Sequence, residues 1–312
     1  MITYSIGLKN KFRGITVREG MLFEGPAGWA EWSPFLDYDD ATCVSWLRAA
    51  REAAEVGWPA PVRDRIPVNC TVPAVGPEKA AEIVRASGCG TAKVKVAEPG
   101  QTLADDIARV EAVRDAIGAG RVRIDANGAW SVDQAVRSLK QLQRFDLEYV
   151  EQPTATVQEL AEVRRRTDVP VAADESIRRA EDPLLVKKLD AADIAVLKVQ
   201  PIGGVRACLE IAEQIGLPVV VSSALETSVG IAAGVALAAA LPELPYACGL
   251  ATVSMFTQDV VAEPLLPLDG FLSVTCVQPE PALLSAVSAT PATNAAWQRR
   301  LARVESLVGG RS

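Results

Sequence analysis

The sequence predicts an α/β protein built on a TIM-type barrel of eight parallel strands. Three observations carry this. After Pro67, short β-branched runs alternate with amphipathic helical stretches at a period of roughly 23–30 residues, as βα units around a parallel sheet do. Eight such runs fit within about 185 residues, which suits a closed barrel. No Gly-x-Gly-x-x-Gly follows the first run, so the alternative of an open doubly wound sheet lacks its usual cue.

The elements follow in order. Residues 2–9 and 14–23 alternate as strands do, and Gly25-Pro26-Ala27-Gly28 reads as a turn into Trp29-Ala30-Glu31-Trp32. Over 39–56, Val44, Leu47, Ala50 and Ala54 recur at helical spacing until Gly57 stops the run. The barrel runs are 68–72, 92–96, 122–125, 147–151, 169–173, 194–199, 218–222 and 246–250. Helical patterns fill the gaps, for example at 102–117, 131–145, 205–215 and 227–240. Gly203-Gly204 opens one helix, either to turn a loop tightly or to bind an anion at the helix N-terminus. Beyond Gly270 stand one more strand-like run, 271–277, and a polar helix ending in Gly-Gly-Arg-Ser. This tail is expected to pack back on the N-terminal unit or the barrel, with its last residues frayed.

Of 312 residues, 49% are hydrophobic and 23% charged, which argues against disorder. The net charge of -7 leaves no basic surplus to displace counterions, so nucleic acid is not the expected partner. There is no histidine, which excludes Ser-His-Asp and Cys-His catalysis, His-ligated zinc or haem, and any imidazole base. The six cysteines are scattered without a Cys-x-x-Cys pair, and are expected to be reduced and mostly buried. The N-terminus shows no signal-peptide pattern, and the most apolar stretch, 229–241, falls short of the ~20 residues a membrane span needs. A cytoplasmic protein without a membrane segment is the expectation.

In such a barrel the reactive groups sit at the C-terminal ends of the strands. Five consecutive strand ends carry charge in order: Lys93 and Lys95, Asp125, Glu151, Asp174, and Lys198. Singly, each could cap a helix or solvate a loop, and Asp174-Glu175-Ser176 could simply begin one. Together they are harder to dismiss. Three converging carboxylates cannot all ionise unless a cation sits among them. Hard oxygen donors without histidine or thiolate favour Mg²⁺, or Mn²⁺, over zinc. Lys93 and Lys95 lie two apart on one strand, hence on one face, and mutual repulsion is expected to lower a lysine pKa toward that of a general base. Lys198 arrives from the far side of the barrel. The matching reaction removes a proton next to a carboxylate while the metal stabilises the resulting charge.

At these residues the sequence resembles the enolase superfamily, in the branch with Lys-x-Lys on the second strand and Lys on the sixth, a family known to pair a lysine base with Mg²⁺. The resemblance runs through Phe12-Arg13-Gly14-Ile15, Arg18-Glu19-Gly20, Gly28-Trp29-Ala30-Glu31-Trp32-Ser33-Pro34-Phe35 and every strand end above, and so covers nearly the whole chain. It implies a (β/α)7β barrel over 66–270 and an α+β capping domain from 1–65 plus 271–312. It implies Asp125, Glu151 and Asp174 as metal ligands, Lys95 as the acid/base, Lys93 as its tuner, and Lys198 as a stabilising cation or partner acid/base. Within the superfamily it is similar to the short, actinobacterial-type dehydratases of menaquinone biosynthesis. That implies a small carboxylate substrate, 2-succinyl-6-hydroxy-2,4-cyclohexadiene-1-carboxylate, converted to 2-succinylbenzoate.

Asn127, Ser222 and Ser223 match positions where such enzymes touch the substrate, although both serines could instead form a turn after strand seven. Arg13 falls where a capping loop would close over the site, or stands as a surface arginine. The capping region is short and lacks the longer loops of dual-activity relatives. N-succinylamino acid racemase and dipeptide epimerase remain open on the same scaffold, because Lys95 and Lys198 would serve racemisation equally. A non-catalytic barrel is the reading from another class, and it predicts broken ligand positions where all five are intact. Oligomeric state is not legible, since the apolar helices at 39–56 and 227–240 suit either the barrel or a neighbour.

Overall fold

A computed structural model describes residues 1–179 and 182–309. The frayed end expected at Gly-Gly-Arg-Ser falls largely on 310–312, outside the described residues. The chain opens with an antiparallel meander of β1 (Ile2–Phe12), β2 (Ile15–Gly25) and β3 (Gly28–Trp32). Arg13 and Gly14 turn β1 into β2 with positive φ at both positions, 48° and 80°, the geometry a tight hairpin prefers. Helix α1 (Cys43–Arg51) continues as a π-helical turn over Glu52–Val56 and ends at Gly57, whose φ is 73°.

After β4 (Arg65–Pro67), strands and helices alternate: β5 (Cys70–Val72), α2 (Pro77–Ser87), β6 (Thr91–Lys95), α3 (Leu103–Ile117), β7 (Arg121–Asp125), α4 (Val132–Leu142), β8 (Leu147–Glu151), α5 (Val157–Arg165) and β9 (Val171–Ala173). Short α6 (Glu175–Arg178) and α7 (Leu185–Lys188) precede β10 (Ile194–Leu197). Then come α8 (Val199–Ile202), α9 (Val205–Ile215), β11 (Val219–Val221) and α10 (Ser228–Ala240). Three helices start alike. Thr102, Ser131 and Thr156 each accept the backbone N–H three residues on, where Asp105, Gln134 and Glu159 reach back in reciprocal capping boxes.

Strands β5 to β11 pair in parallel, in sequence order, as one seven-stranded sheet. The expected eighth strand at 246–250 is not regular. Pro245 and Gly249 bracket a stretch too short for a ladder, and closure falls to two bridges, Val68 with Cys248 and Ser222 with Gly249. The pleat divides each strand. Val122, Ile124, Val150, Val171, Ala195 and Val221 face the helices in the main core, whereas Tyr149, Ala172, Ile194, Val196 and Val220 form a separate cluster. Residues two further along the second set, namely Glu151, Asp174, Lys198 and Ser222, therefore project into the barrel mouth.

The meander, α1 and the final helices α11 (Pro281–Ala286) and α12 (Pro291–Gly309) share a second core around Tyr4, Trp32, Trp46 and Trp297. The expected strand at 271–277 is shorter, β12 (Phe271–Ser273), and pairs with β4. Both ambiguous apolar helices face their own chain: α10 is buried from Ser228 to Ala239, and α1 buries Trp46 and Leu47. Five cysteines are buried, Cys276 is exposed, and all six are free. Among the described residues no helix is long and apolar enough to cross a membrane.

Two carboxylates from the first 65 residues dock on barrel helices. The Glu52 carboxylate accepts the N–H groups of Val205 (2.6 Å) and Arg206 (3.2 Å) at the start of α9. Gly203-Gly204 thus serves both roles its sequence allowed. It turns the loop, with φ of 115° and 132°, and its helix binds an anion, which is an internal side chain. A Cβ at Gly204 would lie 2.0 Å from Glu52 Oε2. The Glu31 carboxylate does the same for α10, accepting Thr227 N–H (3.1 Å), Thr227 Oγ1 (2.5 Å) and Gly230 N–H (3.2 Å). Beside it Glu226 is fully buried, and desolvation together with the Glu31 charge pushes its carboxyl up to about 7.

Glu52→Ala strands two helix-end donors and is expected to cost about 1–3 kcal/mol, read as a lower urea midpoint at unchanged slope. Glu226 predicts a pH effect. Its carboxyl rises from the ordinary 4.5 to about 7, so the fold holds an extra proton in that window and loses stability as pH rises through it. Glu226→Gln removes the penalty, so its stability relative to wild type is expected to improve between pH 5 and pH 8, by at most about 3 kcal/mol. Denaturation midpoints at the two pH values check this.

Candidate active site

The barrel mouth holds a cavity of about 300 Å³, within the size range of small-molecule sites. Lys93, Lys95, Asp125, Asn127, Lys198 and Arg178 line one part of it. Ser222 to Leu225, with Gly249 and Thr252, line another, and Lys11, Phe12, Arg13 and Phe35 reach over from the meander and the loop after it.

The charged groups interlock. Lys93 Nζ donates to both Glu151 oxygens, at 3.0 and 2.9 Å, and lies 3.5 Å from Asp125 Oδ2. Lys95 Nζ donates to Asp125 Oδ2 at 2.5 Å and Asn127 Oδ1 at 2.6 Å. From the other side, Lys198 Nζ donates to Asp174 Oδ2 at 2.6 Å, and Arg178 Nε to Asp174 Oδ1 at 2.8 Å. Glu151 and Asp174 are fully buried and join the cavity through the lysines they bind.

These contacts set the titration. Burial opposes ionisation of Asp125, but Lys95 and Lys93 hold its carboxyl at about 2. Asp174 is likewise held below the ordinary range, against its burial, by Arg178 and Lys198. Glu151 goes the other way: burial, then the neighbouring Asp125 charge, raise it to about 7. The expected depression of a lysine by its neighbour is not met at Lys93. Burial lowers its pKa, yet the Glu151 and Asp125 charges outweigh that and raise it above the ordinary lysine value.

The donor set fits a hard divalent cation. Three buried carboxylates stand at adjacent strand ends, and burial together with the Asp125 charge opposes ionisation of Glu151, which a cation there would favour. Among the described residues no three acidic side chains are already drawn to metal-binding spacing, because lysine ammonium groups stand between them.

Sequence reasoning passed over several supporting side chains. Gln152 Oε1 accepts the N–H groups of Asp174 (3.0 Å) and Ser176 (3.1 Å), fixing the turn that presents Asp174. Glu175 accepts from Arg178 and from Asn127 Nδ2 (3.3 Å), while its other oxygen is buried and finds no partner among the described residues. Arg178 also donates to Tyr38 Oη at 2.9 Å. The four-residue spacing of Asp174 and Arg178 was a readable signal, since it places both on one helix face.

Asn127 stands beside Lys95, as the motif suggested. Arg13 sits at the tip of the β1–β2 hairpin, 3.9 Å over the Phe35 ring, and donates to Tyr38 Oη at 3.2 Å. Ser223 Oγ lies 2.8 Å from Thr252 Oγ1, and Ser222 packs on Gly249, where a Cβ would lie 2.6 Å from its hydroxyl. Among the described residues neither serine bonds to the lysine–carboxylate cluster, nor does Arg13.

Known proteins resemble this chain throughout. Residues 3–54 match the enolase N-terminal domain-like family and 77–279 the enolase C-terminal domain-like family. An o-succinylbenzoate synthase of Thermobifida fusca is 67% identical, over 96% of this chain and 94% of its own. One from Mycobacterium tuberculosis is 55% identical over 97% and 93%. Among solved structures, muconate lactonizing enzyme from Pseudomonas fluorescens superposes with a TM-score of 0.79 at 21% identity, covering 92% of this chain and 97% of that one. A dipeptide epimerase from Enterococcus faecalis, complexed with Mg and a dipeptide, gives 0.75 at 23% identity, over 89% and 96%. These last two share the fold. The chain belongs to the enolase superfamily and, within it, to the family of the o-succinylbenzoate synthases.

Proposed function

We propose that the protein is a dehydratase, a hydro-lyase that converts 2-succinyl-6-hydroxy-2,4-cyclohexadiene-1-carboxylate to 2-succinylbenzoate in menaquinone biosynthesis. One observation carries the chemistry: Lys95 and Lys198 approach from opposite sides of a row of three buried carboxylates, at 2.5 Å from Asp125 and 2.6 Å from Asp174. Identity of 54–67% to relatives named for this reaction supports the choice of substrate. Racemase and epimerase readings share this lysine pair, but the solved relatives named for them are 20–23% identical and support the fold alone.

Asp125, Glu151 and Asp174 would hold Mg²⁺, or Mn²⁺. When bound, that ion supplies Lewis-acid stabilisation of negative charge on the substrate carboxylate. Lys95 takes the proton from the ring carbon bearing the carboxylate. The C–O bond at the hydroxyl-bearing carbon then breaks, the departing oxygen takes the proton back from Lys95 as water, and the ring becomes aromatic. Lys198 keeps a cation facing the charge that develops, and Lys93 holds Glu151 in place. Asn127 orients Lys95. Ser222 and Ser223 would receive the succinyl arm, and Arg13 would cover the mouth. The capping unit is 1–65 with 271–312 and the barrel is 66–270, a division supported by the two separate cores. Buried free thiols suit a cytoplasmic location.

Lys95→Ala is expected to lower kcat at least about 10²–10⁴-fold, and Asp125→Asn to lower it comparably, measured on the cyclohexadiene substrate by product absorbance. Unchanged turnover in both would overturn the mechanism. Exhaustive EDTA treatment should abolish activity and added Mg²⁺ restore it; full activity after chelation would remove the metal from the reading.

A further inference from the structure

The cavity wall formed by Ala224 and Leu225 is held from outside the cavity. Leu225 has φ of +64°, a left-handed conformation that is unfavourable for a non-glycine residue and persists only where surroundings impose it. The surroundings are mainly one side chain. Arg18 on β2, buried and outside the cavity lining, donates through Nε to the Leu225 carbonyl at 2.8 Å and through Nη2 to the Ala224 carbonyl at 3.3 Å. The same guanidinium donates to the Ser33 carbonyl and to Ser33 Oγ, and stacks 4.3 Å over Phe35, whose ring lines the cavity. On the barrel side, Glu226 accepts the Ala224 N–H at 2.7 Å and completes the clamp.

We propose that Arg18 is a positioning residue for substrate recognition. It fixes the Ala224–Leu225 wall and the Phe35 ring against each other, and so sets the shape of the space offered to the non-reacting arm of the substrate. This rests on the dehydratase reading for its substrate, though not for its structural half. Arg18 touches neither the lysines nor the carboxylates, so its removal acts on uniform binding and leaves the proton-transfer geometry in place. Lysine cannot replace it, since only a planar fork spans two consecutive carbonyls and still stacks on a ring.

The test uses the full-length, Mg²⁺-loaded protein as wild type, Arg18→Met and Arg18→Lys, with two readouts. In steady-state dehydration, KM is expected to rise about tenfold or more in Arg18→Met with kcat within about threefold, and guanidinium chloride in the assay should bring KM back toward wild type. In hydrogen exchange, amides of 222–227 should exchange about tenfold faster while those of β6 to β9 stay unchanged. Should Arg18→Met fail to fold, Arg18→Lys decides on the same criteria. A folded variant with unchanged exchange at 222–227 overturns the proposal, as does a fall in kcat at constant KM. An inactive wild type whose Arg18 variants still show the local exchange change would instead overturn the dehydratase reading and leave Arg18's hold on the wall standing.

Discussion

Burying three carboxylates in one barrel mouth is the constraint on which the rest of this structure depends. Each would be expensive alone in a site shielded from water, and the chain meets that cost with opposite charge from several directions. Lys93 and Lys95 come from the strand before the acids, Lys198 from the strand after them, and Arg178 from the first turn beyond Asp174. The compensation is uneven. Among the described residues Asp125 and Asp174 are each ion-paired with two cations, whereas Glu151 is ion-paired with Lys93 and is the group whose carboxyl rises. The lysines that offset this buried charge are the ones the proposed chemistry uses, so stability and the proposed reactivity would draw on one set of side chains.

The unit around the meander turns this charged mouth into a bounded space. Its hairpin tip carries Phe12 to 5.4 Å from the Lys95 ammonium and Arg13 onto Phe35, so aromatic faces meet the cationic rim. The barrel contributes the charged groups, and the meander with the loop after it contributes the aromatic cover of Phe12 and Phe35. A substrate that is part ring and part polar arm suits such a division.

Much of the fold was legible because local signals agree with it. The capping boxes at Thr102, Ser131 and Thr156, and the β-branched strands between them, are written in short-range pattern. Lys93, Lys95, Asp125, Glu151, Asp174 and Lys198 were legible because strand ends converge in any such barrel. What sequence could not show depends on distance along the chain. Arg18 meets Leu225 across 207 positions, Arg178 meets Tyr38 across 140, and no periodicity reports either pairing. The upward shift at Lys93 was missed for a related reason: Lys95 on the same strand and the acids of the next strands were all visible, but not that Glu151 and Asp125 close directly on the Lys93 ammonium. The irregular closing strand was hidden because Tyr246 to Leu250 has strand-like composition, and only the preceding Pro245 and the internal Gly249 argue otherwise.

The helices after β10 and β11 begin on acids supplied by the meander and by the end of α1, rather than by their own N-terminal turns. Neither barrel nor cap is therefore a self-sufficient module at this seam. A cap transplanted from a distant relative would strip the start of α9 of its acceptor and take from α10 the one that Glu31 adds, unless it brought acids to the places of Glu31 and Glu52. Recombination between lineages is constrained to keep these halves together, and substrate preference carried by the cap is inherited along with the barrel it caps.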